Sequence, residues 1–318
     1  MKVLCSEEVA KMKRKNVTYG SGIVERDEQI VKVVAYIVLS ILSIFALAPF
    51  MILFSASISS EAAIAKYGYG FLPKEFSLDA WKYLWQAAKI IFRAYGVTIM
   101  VTAVGTVLSV LTMSMFAYGM IQKVRGLKVI MAMMVLTMLF NGGMVSSYYV
   151  WAGWMDIKNS IFALLFPNLF ASAFSVILIM SYYRTSIPHE LLEAARIDGA
   201  GEFEIYVKII LPLSLPILAT IGLLQAIAYW NDWTNGMYYI DVRHSEMYSI
   251  QLLLNQMNQQ IEFMANNPEF AAELGQLTIP QESVRMAMAF IGVLPLMIAF
   301  PFFQKYFTKG LTLGGVKG

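Results

Sequence analysis

The residues most open to a chemical reading lie in one polar stretch between two apolar ones, from Ile187 to Leu213. Their types and spacing suit docking rather than bond-making. Pro188 fits a first helical position, where its missing N–H costs nothing. Glu190 and Glu193 follow in the early turns, where a carboxylate favours the helix dipole. Leu191, Leu192, Ala194, Ala195 and Ile197 supply an apolar face, and Gly199 ends the helix through the positive φ that glycine adopts freely. Glu202 to Lys208 begins a second amphipathic stretch that climbs into the next apolar segment at Pro212, and Asp198 is placed to cap that second helix. A helix of about ten residues is marginal alone in water, so the first one requires a groove. The small pair Ala194–Ala195 and the turn at Gly199 let another backbone come close. A helix lying on a bilayer would carry a Lys/Arg-rich polar face, and this one is acidic.

Covalent chemistry finds few candidates. Cys5 is the single cysteine, which excludes an internal disulfide and a Cys-based metal site. His189 and His244 are far apart in sequence, so a histidine metal site would need other ligands. No G-x-x-x-x-G-K-[ST] phosphate loop occurs; Gly310 to Gly318 has glycines and lysines in the wrong order and no strand–helix context. The chain is therefore expected to be no enzyme and to bind no cofactor.

The elements that must position the docking stretch follow from composition. The chain has 318 residues, of which 58% are hydrophobic and 14% charged, with a mean hydropathy of +0.61. Soluble domains carry about 25% charge, so lipid is the main solvent here. A net charge of +3 without a dense basic patch gives no case for nucleic acid. Six stretches hold no charged residue: Val33–Ile58, Gly96–Gln122, Val129–Met155, Asn159–Tyr183, Ile209–Asn231 and Met286–Gln304. Roughly 20 helical residues cross a bilayer, and a central Lys or Arg costs about 3 kcal/mol on insertion scales. Six transmembrane helices are the reading. None of the windows contains His, Asp, Glu or Cys, which removes the ionisable residue that a stand-alone secondary transporter needs and the catalytic cluster of a membrane-embedded enzyme. Residues 1–32 are polar and lack a secretory signal pattern. Of the 24 Lys and Arg residues, sixteen fall in 1–32, 123–128, 184–208 and 305–317, all on one side of a six-span chain. Positive charge stays inside, so both termini and the Ile187–Leu213 stretch are expected in the cytoplasm. The long segment Asp232–Arg285 lies outside and is net acidic, a surface able to dock a partner.

Glu193-Ala-Ala-Arg-Ile-Asp198-Gly199-Ala200, followed by Leu211-Pro212-Leu213, resembles the "EAA" loop of bacterial ABC importer permeases. Asn141-Gly-Gly-Met-Val, Trp230-Asn-Asp-Trp233 and the tail from Phe303 to Gly318 look like carbohydrate permeases of the maltose-transporter class, in the branch associated with oligosaccharides and polysaccharide fragments. The resemblance implies an all-α integral membrane protein with six transmembrane helices, the type I ABC importer permease fold. It places a cytoplasmic coupling helix between spans four and five. The boundaries expected are a cytoplasmic segment over 1–30, a permease domain over 31–308 and a cytoplasmic tail over 309–318. The coupling loop spans 184–212 and the external loop 232–285. The partners implied are a second homologous permease, two copies of an ABC ATPase that bind ATP and Mg, an extracellular solute-binding protein, membrane lipid and a carbohydrate substrate. The membrane would be the bacterial cytoplasmic (inner) membrane. An importer for a peptide, amino acid or ion differs from this reading only in substrate.

The resemblance also assigns residues. Glu193, Ala194, Ala195, Asp198 and Gly199 fall in the coupling loop, with Glu193 able to accept a hydrogen bond from the ATPase. Gly314 to Gly318 could reach the ATPase interface. A sugar pathway needs stacking faces and hydrogen-bonding groups in a wet cavity. Asn141, Tyr149, Trp230, Asn231 and Asp232 are the candidates, although Trp and Tyr at span ends also serve as interfacial anchors.

Overall fold

The computed structural model describes residues 21–122, 125–267, 269 and 280–315. The expected segment over 1–30 and the tail over 309–318 thus lie partly outside the described residues, as do parts of the external loop. The described secondary structure is helical, with one isolated bridge, Ser59 to Phe76.

Helix α1 (Ser21–Ser57) carries the first charge-free window, and most of its apolar side chains between Ile30 and Met51 face outward. Two short helices follow, α2 (Glu61–Tyr67) and α3 (Asp79–Gln86), then the long α4 (Ala88–Ile121). The last helix is α14 (Gln281–Gly315), and the Gln281–Ala299 part of it is long and apolar enough to cross a membrane, as are Gln29–Ser57 and Ala88–Ile121. Three described helices meet that test by themselves, or four when a bent pair is counted as one span.

The third and fourth windows are not continuous helices, contrary to the expectation of one helix per window. Helix α5 (Leu127–Leu139) stops at Phe140, whose φ of −120° and ψ of 117° are extended. The Asn141-Gly142-Gly143 run explains the stop. Asn141 Oδ1 accepts the Gly143 N–H at 2.8 Å, and Gly143 has a φ of +77° that residues with a Cβ rarely adopt. The chain resumes as α6 (Gly143–Tyr148) and a π-helical turn, Tyr149–Trp154. In the fourth window, α7 (Phe162–Leu165) is separated from α8 (Ala173–Ser186) by Pro167 and by Asn168 at φ +61°. Proline has no N–H to continue the ladder.

Helix α9 (His189–Ile197) follows, then α10 (Glu202–Leu213), which includes a π-helical turn at Tyr206–Ile210. The fifth window, Ile209–Asn231, is broken too. Between α10 and α11 (Leu215–Asn231) the axis turns by 80° at Ser214. Pro212 and Pro216 flank the bend, and Pro216 cannot donate to the Pro212 carbonyl one turn back. The chain then forms α12 (Thr234–Tyr239), a 3₁₀ turn (Val242–Met247) and α13 (Ile250–Asn266).

Helix α4 is the axle of the packing: it lies against both α11 and α8, while α14 packs on α1, α11 and α13. Its buried face carries Thr98, Gly105, Ser109 and Ser114. Tyr229 of α11 crosses directly over Gly105; a Cβ there would sit 2.5 to 2.8 Å from three of its ring atoms. The Tyr229 hydroxyl donates to the Leu165 carbonyl at 2.8 Å, so its 3.0 Å contact with Ser109 uses the serine as donor. Thr98 accepts the Ile250 N–H at 2.8 Å and fixes the start of α13.

The glycine at 105 is therefore a close-approach residue. Gly105→Ala is expected to displace the Tyr229 ring from two buried hydrogen bonds and to cost about 1–3 kcal/mol. Gly96→Ala meets nothing within 4 Å and replaces a poor helix former, a gain of up to about 1 kcal/mol. Thermal unfolding of the detergent-purified chain checks this: the first variant should melt lower than the parent and the second no lower. Equal melting of the two would remove the close-approach argument.

Candidate functional site

Helix α9 is built to end sharply. Pro188 precedes it with φ −62° and ψ 131°, one position earlier than the sequence suggests. At its other end the Gly199 N–H donates to the Arg196 carbonyl at 3.1 Å and the Ala200 N–H to the Ala195 carbonyl at 3.0 Å. Gly199 stands at φ +83°. This crossed pair of bonds is the Schellman arrangement, and it satisfies carbonyls that the helix end leaves free. Asp198 does not cap the following helix: it is the C-terminal cap of α9, with φ −70° and ψ 0°, and Gly201 precedes α10. The reason is that the turn needs Asp198, Gly199 and Ala200 for itself.

The apolar residues of α9 divide between two faces. Leu192 is 2% exposed and Ala195 packs beside it, against a core that contains Tyr118, Tyr183, Ile187, Ile205 and Tyr206. Leu191, Ala194 and Ile197, spaced by three, look outward; Ile197 is 85% exposed, and the neighbouring Phe203 on α10 is exposed too. Glu193, Asp198 and Gly199 are exposed beside that stripe. The structure therefore brings Glu193, Ala194, Ala195, Asp198 and Gly199 into one short element, with Ala195 turned partly inward.

Behind the stripe, the charged groups form a network that the spacing did not suggest. Arg196 Nε donates to Glu202 Oε1 at 2.8 Å, and its Nη2 donates to Glu202 Oε2 at 3.3 Å and to Gln122 Oε1 at 2.6 Å. The Tyr118 hydroxyl donates to Glu202 Oε2. Arg196 first, and then Tyr118, hold the Glu202 carboxyl below the ordinary glutamate range. Glu202 in turn raises the Arg196 guanidinium. A cavity of about 600 Å³ opens here, lined by Ile121, Gln122, His189, Leu192, Glu193, Arg196 and Glu202. Deeper in, Ser114 joins Tyr183 at 2.7 Å and accepts the Tyr206 hydroxyl at 3.0 Å, tying α4, α8 and α10 together. Opposite charges six residues apart match no helix pairing; only the reversal at Gly199 makes Arg196 and Glu202 neighbours.

The pathway candidates divide differently. Asn141 sits in the break after α5, exposed, with its side chain used to hold Gly143, rather than deep in a helix. Tyr149 is 68% exposed. Trp230 is 6% exposed, and its indole N–H donates to the Gly292 carbonyl at 3.1 Å. Asn231 is exposed and donates to the Ile227 carbonyl at 3.0 Å. Asp232 Oδ1 accepts the N–H groups of Thr234 and Asn235 at 3.1 and 3.2 Å. Among the described residues, no hydrogen bond joins Asn141 or Tyr149 to the other three. Against Trp230 lies a cavity of about 600 Å³ with an almost wholly apolar wall, made by α4, α11 and α14.

The family described as "Binding-protein-dependent transport system inner membrane component" matches residues 112–313. The chain is 34% identical over 272 residues to a polygalacturonan/rhamnogalacturonan transport system permease protein of Bacillus subtilis (strain 168), covering 85% of this chain and 92% of that protein. It is 27% identical over 283 residues to an arabinooligosaccharides transport system permease protein of Halalkalibacterium halodurans, covering 87% and 93%. Among solved structures, it is similar to a chain of a bacterial ABC transporter involved in the import of the acidic polysaccharide alginate. That likeness has a TM-score of 0.72 and 32% identity, and covers 89% of this chain and 98% of the other.

A Cβ at Gly199 would meet nothing within 4 Å, so a substitution there acts through backbone strain alone. Gly199→Ala is expected to cost about 1–2 kcal/mol in the left-handed region, and Gly199→Asn less, because asparagine tolerates that region. Amide hydrogen exchange over residues 189–205 of the detergent-solubilised chain reads this. Exchange should speed up roughly five-fold or more in the alanine variant, with a smaller change in the asparagine variant. Unchanged protection in the alanine variant would refute the strain argument.

Proposed function

The chain belongs to the family of binding-protein-dependent transport system inner membrane components, and from that premise we propose that it forms half of the translocation pathway of an ATP-driven oligosaccharide importer, coupled to a separate ATPase through α9. Members of this family are transporter subunits rather than enzymes. The six charge-free windows act as six spans, the third and fourth interrupted and the fifth bent at Ser214, with both termini in the cytoplasm. A second, homologous permease completes the pathway, two copies of an ABC ATPase bind ATP and Mg below, and an extracellular solute-binding protein delivers carbohydrate from above.

What supports the coupling role is the outward stripe of α9. Leu191, Ala194 and Ile197 leave apolar surface in water, beside the carboxylate of Glu193, on a helix too short to be stable alone. That surface calls for a groove in a partner. ATP can favour one cavity state only by binding it differentially; closure of the ATPase dimer would displace two such helices together. The π-helical turn of α10 and the 80° bend before α11 then convert a shift of the loop into a change at the pathway. The substrate class is supported by the relatives, which are named for transport of polygalacturonan/rhamnogalacturonan and arabinooligosaccharides, together with exposed aromatic and amide groups such as Tyr149 and Asn231.

Co-purification from mild detergent tests the assembly. The tagged chain should recover an ATPase and a second permease. Ile197→Glu changes a residue that the isolated chain leaves exposed, so the chain and the second permease should be recovered at parent levels while the ATPase falls at least ten-fold, a loss of about 1.4 kcal/mol of docking or more. Recovery of the chain alone from the parent would sink the importer reading, and full ATPase recovery with Ile197→Glu would move the docking face elsewhere.

A further inference from the structure

Helix α9 is tethered covalently to α8 and α10, and both would follow its motion in any account. The side chains add a third attachment that the chain connectivity does not require. Arg196, in the last turn of α9, grips both oxygens of Glu202 in the first turn of α10 and reaches Gln122 at the end of α4. Tyr118, one turn before Gln122 on α4, donates to the same carboxylate. Two residues of the loop, Tyr118 of α4 and Gln122 just past its end thus form one connected set. Separate exposed ion pairs are worth little. Here the guanidinium is bidentate, both carboxylate oxygens are used, and each partner orders the next, which is the arrangement in which charged hydrogen bonds gain strength and direction.

Position gives the set its consequence. Helix α4 packs along both α11 and α8, and its Thr102 and Thr106 form a wall of the apolar cavity against Trp230. Packing on α8 and the Ser114–Tyr183–Tyr206 set already link α4 to α8 and α10 deeper in the bundle; the Arg196 set grips the end of α4 directly from the loop. We infer that Arg196 and Glu202, with Tyr118 and Gln122, are positioning residues that carry the displacement of the coupling loop directly into α4, so that α4 and the α11 helix packed along it move with the ATPase. The inference rests on the coupling role proposed above and adds a second route from loop to pathway.

The charge reversal Arg196→Glu with Glu202→Arg can rebuild the set. The Gln122 amide can turn to donate to a carboxylate, and the Tyr118 hydroxyl can accept from a guanidinium. The test is made on the complete importer, reconstituted in liposomes with its binding protein and with oligogalacturonides and arabinooligosaccharides as probe sugars, reading uptake and ATP hydrolysis in the same vesicles. Arg196→Gln and Glu202→Gln are expected to keep the ATPase bound while uptake per ATP falls at least about five-fold, the lower end of typical coupling effects. Tyr118→Phe, which removes one hydroxyl and leaves the ring, should lower the ratio in the same direction. The reversed pair should recover most of it. An unchanged ratio in all single variants overturns the inference, as does a loss of ratio that the reversed pair fails to recover. Loss of the ATPase from the single variants also overturns it, because the set would then hold the docking surface rather than transmit its motion. Absence of the ATPase from the parent complex is a different failure, that of the importer reading itself.

Discussion

A buried backbone carbonyl must be given a donor by the protein, since no water is there to supply one. The break between α7 and α8 is where this constraint acts hardest, because it frees carbonyls that a continuous helix would have bonded. Each of three carbonyls there receives a side-chain donor from the α11–α12 region, and the Pro167 carbonyl also accepts the Leu169 N–H at 2.8 Å. Tyr229 donates to Leu165 at 2.8 Å, Asn235 to Pro167 at 2.9 Å and Gln225 to Leu169 at 2.7 Å. Leaving one such group unpaired costs about 1–3 kcal/mol. The interruption and the helix that satisfies it are thus one structural unit, and α8 cannot be placed without α11.

From that unit the rest of the bundle follows. Tyr229 also meets Ser109 and lies on Gly105, which brings α4 into register with both. The Ser114–Tyr183–Tyr206 set repeats the device one layer further along, now between α4, α8 and α10. Small residues on α4 let the tyrosines come close, and the hydroxyls give direction to contacts that apolar packing alone would leave free to slide. The loop that carries α9 hangs from this layer. Its inner face is held by Leu192, and its outer face stays bare. That asymmetry suits an element that must move with the bundle while it grips something else.

How much of this was legible can be traced residue by residue. The α9 helix, its stop at Gly199 and its acidic, apolar character follow from local chemistry, because a left-handed turn and a three- to four-residue repeat are written in adjacent positions. The windows around Asn141 and Pro167 were read as whole spans for a physical reason. Charge content reports transfer into lipid, and Gly, Asn and Pro interrupt a helix without adding charge. Local pattern points Asp198 to the wrong helix, since either end of a tight turn offers a place for a carboxylate and only the φ of Gly199 decides. Trp230 could be placed at the end of a span, yet nothing local foretold that its indole would be spent on Gly292.

The amino-acid sequence by itself determined the solvent of this protein, the helical class and the one polar element that needs a partner, because each depends on composition or on neighbours within two turns. Only the tertiary structure decided which carbonyl each buried donor serves, where the axis turns by 80°, and that Arg196, Glu202, Tyr118 and Gln122 meet. Those contacts join residues up to 84 positions apart, and distances of that kind are set by how the helices pack around α4, which no local pattern records.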